Sequence, residues 1–110
     1  MRTSLVFAVV TLIASGPALA DSALELAQGK ACLVCHSVEG ISQAPSFKSI
    51  ANKYRELPRE ESRLVSTVMW GSPTYGGYHW GTTKMPTPGA RVRITQSEAA
   101  QLVEWILSLK

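Results

Sequence analysis

Apolar residues recur at helical spacing in several stretches of this chain, and nowhere do they alternate long enough to argue for a sheet. The clearest case is the C-terminal one. Thr95-Gln96-Ser97-Glu98 has the spacing of a capping box, and Ala99, Leu102, Val103, Ile106 and Leu109 form one stripe behind it. Near the N-terminus Ser22 and Glu25 have the same spacing, and Leu24, Ala27, Ala31 and Val34 follow on one face. Ser46 is placed to cap a short helix, Phe47 to Tyr54. Pro58 reads as the first residue of another, in which Leu64, Val65, Val68 and Met69 recur until Gly71-Ser72-Pro73 stops them. The pattern predicts an all-α chain of about four helices. Residues 71–94 lack a period and hold five glycines and three prolines, a long loop for so small a domain and therefore one expected to be functional.

The first residues change the picture of where the domain begins. Arg2 precedes an apolar run, residues 5–14, that ends in Ser15-Gly16-Pro17-Ala18-Leu19-Ala20. This reads as a secretory signal peptide, 1–20, cut after Ala20. The run is shorter than a membrane span requires, and a retained anchor is the weaker reading. Residues 21–110 would form one domain with no stable membrane insertion. Cleavage removes Arg2 and leaves ten Lys and Arg against eight Asp and Glu. That balance is mild and the basic residues are scattered, so nucleic acid is not an expected partner. Ninety residues bury a modest core that gains from an added staple, and the only two cysteines are too close together to clamp distant segments.

Those cysteines lie in Cys32-Leu33-Val34-Cys35-His36, the C-x-x-C-H signature of covalent haem attachment. Two thiols about one helical turn apart can each add across one vinyl group, while the histidine that follows turns its imidazole to the iron. Two rival readings stand beside it. A disulfide or redox pair would normally sit in a βαβ context, and a zinc site would need Cys32, Cys35, His36 and His79 to converge although Cys35 and His36 are adjacent. The sixth iron position decides between carrier and catalyst. Met69 falls on a core stripe. Met85, in Lys84-Met85-Pro86-Thr87-Pro88, offers a soft thioether on a proline-stiffened loop, and His79 is the second candidate.

Taken in order, Cys32 to His36, the Ala-Pro-Ser-Phe-Lys run with Pro45 and Phe47, Trp80-Gly81 followed by Met85-Pro86, and Glu104-Trp105-Ile106-Leu107 resemble class I cytochromes c, nearest the small periplasmic bacterial carriers. The resemblance covers essentially all of residues 21–110. It implies one covalent haem c with His36 and Met85 on the iron, the Pro45 carbonyl on the His36 Nδ1, and a porphyrin enclosed by Phe47, Val68, Trp80 and Trp105. It also implies an indole N–H of Trp80 turned to a propionate, Trp105 as a helix-packing residue, and terminal helices crossing closely, with Gly29 permitting the approach. The expected function is that of a soluble, monomeric periplasmic electron carrier, not an enzyme. Transient redox donors and acceptors would dock at a haem edge rimmed by Lys30, Lys48 or Lys84. A permanent subunit of a larger dehydrogenase or oxidase, and a haem protein with an exchangeable sixth ligand, are the alternatives. The stretches 74–79 and 88–93 look longer than the family's pattern, which puts partner choice in question.

Overall fold

The computed structural model describes residues 16–73, 80 and 83–110. Four α-helices appear in order: α1, Gly16–Gly29; α2, Phe47–Tyr54; α3, Glu60–Trp70; and α4, Gln96–Ser108. Single 3₁₀ turns lie at Cys32–Val34 and Pro88–Ala90, and the described residues include no strand.

The caps of α2 and α4 explain why these helices begin where the sequence predicts. Ser46 accepts from the Ser49 N–H ahead of α2. Thr95 and Glu98 close a reciprocal capping box ahead of α4, which satisfies two N–H groups that the helix itself leaves without partners. Pro58 heads a turn that enters α3 two residues later, and Gly71 ends α3 at φ 89°. Two expectations need correction. Ser22 does not start α1, because Pro17-Ala18-Leu19-Ala20 continues the helical pattern back to Gly16. Nor does the stripe of α1 continue through Ala31 and Val34. Ala31 takes a left-handed conformation at φ 60°, breaking the helix, and leaves Val34 77% exposed.

Helix α4 is the hub, packing against α1, α2 and α3. Its buried residues Ala99, Leu102, Val103 and Ile106 follow the 3.6-residue period. Ala27 of α1 and Phe47 of α2 join Leu102 and Ile106 in the central cluster. Helix α1 packs on α4 with Ala27 against Leu102 and Ile106, and Ala23 and Ala99 are also buried. Gly29, expected to permit the approach, has open space where a Cβ would stand. Arg55, at the end of α2, donates to the carbonyls of Leu107 and Leu109 and so covers the free C-terminal end of α4.

Candidate functional site

Between these helices lies one cavity of about 530 Å³ with a mainly apolar lining. Cys32, Cys35, His36, Pro45, Phe47, Val68, Trp80 and Met85, the residues singled out from the sequence, all contribute to its wall. They come from four separate parts of the chain, and each is delivered by identifiable local structure.

The Cys-His segment forms its own turn. After the left-handed Ala31, the N–H groups of Cys35 and His36 both bond to the Cys32 carbonyl, bringing two thiols and an imidazole to one side. The thiols are not joined to each other. Among the described residues no three Cys, His, Asp or Glu side chains converge as a metal cage, so the zinc reading finds no support there, and His79 lies outside the described residues. Burial pushes the Cys32 thiol up, opposed by a backbone hydrogen bond and by the Arg91 charge.

The segment after His36 folds back beneath it. Phe47 N–H bonds to the Ser37 carbonyl and Lys48 N–H to that of Val38, which sets Pro45 against the imidazole. His36 Nδ1 is 2.7 Å from the Pro45 carbonyl oxygen. A carbonyl only accepts, so Nδ1 carries the proton and Nε2 keeps its lone pair. Burial holds the imidazole below its ordinary pKa, with the Pro45 bond acting the other way. The Phe47 ring stacks on that of His36 at 5.2 Å and meets Trp105 edge-on at 5.6 Å. Trp105 therefore stands behind Phe47 and is absent from the cavity wall, a correction to its expected place around the porphyrin.

Across the cavity, the end of α3 holds the backbone of Met85. Ser72 N–H donates to the Met85 carbonyl at 2.9 Å, and Met85 N–H donates to Ser72 Oγ at 2.8 Å. A Cβ on Gly71 would come within 2.8 Å of the carbonyl oxygens of both Met85 and Pro86. Gly71→Ala should thus cost about 1–3 kcal/mol through left-handed strain alone, and the clash should push Met85 away from the cavity. Thermal denaturation and the ligand-sensitive spectrum would read the two effects separately.

Trp80 lines the cavity close to Tyr54, whose hydroxyl burial pushes up in pKa while the neighbouring indole pulls it down. Lys53 Nζ also lies 4.5 Å from the Trp80 ring centroid, a cation–π contact. Lys30 lines the cavity but is paired with Glu98 at 3.1 Å, and Lys48 is paired with Glu39 at 3.0 Å. Lys84, also expected at the rim, lines the cavity and is exposed, as are Val34 and Val92. Sequence reasoning passed over Ser72, Gly71 and Arg91 as site residues. The Gly71-Ser72-Pro73 break was visible, but its contact with Met85 joins segments more than a dozen residues apart.

The residues present suit a flat, apolar, metal-centred macrocycle. The wall combines two thiols, one imidazole with its far nitrogen available, one thioether and an apolar surround, and the volume is within the roughly 300–1,000 Å³ typical of ligand pockets. Comparison with known proteins agrees. The cytochrome c family model matches residues 16–110. A cytochrome c-551 of Allochromatium vinosum is 46% identical over 92 residues, 84% of this chain and 88% of that protein. A cytochrome c2 of Rhodocyclus tenuis is 39% identical over 85 residues, 77% of this chain and 89% of its own length. The crystal structure of Nitrosomonas europaea cytochrome c552 superposes with a TM-score of 0.67 at 32% identity, covering 79% of this chain and 99% of that one.

Proposed function

The chain belongs to the cytochrome c family, and on that footing we propose that it is a single-haem carrier of the bacterial periplasm with His36 and Met85 as axial ligands. Its function is one-electron transfer through haem c, as in the small cytochromes to which it is similar. The observation that carries the ligand reading is the gathering of Cys32, Cys35, His36 and Met85 on one cavity, with His36 Nδ1 already committed to Pro45.

Haem c supplies an iron that takes up and gives back one electron. The chain's own residues do the rest. Cys32 and Cys35 would hold it covalently through thioethers to its two vinyl groups, so the cofactor would not leave. Pro45 fixes the His36 tautomer and Phe47 its ring plane, so the neutral nitrogen is aimed before the ligand arrives. Ser72 keeps the Met85 backbone in place in either oxidation state. The apolar lining excludes water and favours the less charged ferrous form.

No described helix is long and apolar enough to cross a membrane. Residues 1–20 act as an export signal, and residues 21–110 meet their donor and acceptor transiently, as a monomer, without bond chemistry of their own. The exposed Lys84, Val34 and Val92 around the cavity are the contact offered to partners. Acid-acetone treatment of periplasmic protein should leave the colour on a polypeptide whose mass equals residues 21–110 plus one haem. Extractable haem would sink the reading, and a mass that includes residues 1–20 would sink the export signal.

A further inference from the structure

We propose that Arg91 is an uncompensated cation built into the haem cavity and that its charge raises the reduction potential. The inference rests on the haem and Met85 assignments above. Arg91 follows the 3₁₀ turn Pro88–Ala90, which bends the chain back so that its Nε donates to the Pro86 carbonyl at 2.7 Å. That bond fixes the guanidinium against the cavity wall, of which Arg91 is part. Nη2 is out of contact with solvent and has no hydrogen-bond partner. The described ion pairs do not include this residue. Native proteins seldom leave a buried charged donor unpaired, and such a group points to a role.

The direction of the effect follows from charge alone. A guanidinium stays protonated at any working pH, even though burial pulls its pKa down here. Arg91 lines the same cavity as Cys32, one of the two tethering residues, and its charge reaches that thiol. The carboxylates of a haem, its propionates, are substituents of the half of the macrocycle away from the vinyl groups, so they compensate a cation on the tethered side poorly. Ferric iron carries one more positive charge than ferrous iron. A cation on the order of 10 Å away at an effective dielectric of about 20 shifts that equilibrium toward ferrous roughly tenfold.

The test is an anaerobic spectropotentiometric titration of the covalent holoprotein and of Arg91→Met, Arg91→Gln and Arg91→Lys, with the Met–iron charge-transfer band and thermal stability recorded for each. Arg91→Met and Arg91→Gln should keep the band and shift the ferric–ferrous equilibrium toward ferric about tenfold, a fall of about 59 mV for one electron. Arg91→Lys, which keeps the charge, should stay within a twofold shift. Arg91→Met, which fills similar space without a buried donor, should lose no thermal stability, so a fall in potential cannot be put down to loosened structure. Unchanged potentials in both neutral variants, or a lysine variant that falls as far as they do, would overturn the proposal. Loss of the band in Arg91→Met alone would make Arg91 a loop anchor and overturn the electrostatic assignment. Absence of the band from the unmutated protein would instead refute the Met85 assignment, and the inference with it.

Discussion

Met85→Ala should abolish the long-wavelength charge-transfer band of the ferric protein, open the reduced iron to carbon monoxide at neutral pH and lower the midpoint potential on the order of 100 mV or more, given that axial ligands move haem potentials over roughly 0.8 V. The substitution removes the sulfur and little else. Both hydrogen bonds between Met85 and Ser72 use the Met85 backbone, which alanine retains. The lost signals therefore report ligation rather than a displaced loop. Proton NMR supplies the companion reading, because a ligated methionine gives strongly shifted methyl signals that the variant must lack. His79→Ala is the control, expected to leave band, potential and ligand access unchanged. If His79→Ala removes the low-spin spectrum while Met85→Ala spares it, the iron is held by two histidines and the protein works at a lower potential.

Phe47→Ala should be the most destabilising single core change, costing about 3–5 kcal/mol in a denaturant or thermal unfolding experiment. The ring is 3% exposed. It belongs to the central cluster with Ala27, Leu102 and Ile106, and it separates His36 on one face from Trp105 at its edge. Its loss leaves a cavity under the imidazole, so the potential should move together with stability. Trp105→Ala should be destabilising as well but should disturb the potential less, since Trp105 stands behind Phe47 and does not line the cavity. Equal shifts in potential from both variants would refute that division, and a cost below about 1 kcal/mol for Phe47→Ala would show that the site collapses around the gap.

The residues of the cavity wall that carry its chemistry were legible because they sit in short motifs whose chemistry is local. Cys32, Cys35 and His36 announce themselves by spacing, and the Ala-Pro-Ser-Phe run places Pro45 and Phe47 nine and eleven residues after His36. The reading failed where a side chain's partner is distant in sequence. Lys30 and Lys48 were expected to rim the haem edge, and their pairing with Glu98 and Glu39 was not foreseen. Gly29 was taken as a packing device, yet it faces open space while Ala27 packs on α4.

By itself, then, the sequence determined the helical class, the starts of α2 and α4, the end of α3 and the tethering chemistry. Each of these depends on groups within a few residues of one another: a hydroxyl and an N–H at Ser46 and Ser49, a capping box at Thr95 and Glu98, a glycine turn at Gly71, two thiols and an imidazole one turn apart. Only the tertiary structure decided that Ser72 grips Met85, that Trp105 stands behind Phe47 instead of in the wall, and that Arg91 turns inward with an unpaired nitrogen. Those outcomes depend on which helix faces α4 and on how residues 83–94 close over the cavity. Such long-range contacts are selected by the total burial of the packed core, and no local stretch of the chain encodes it.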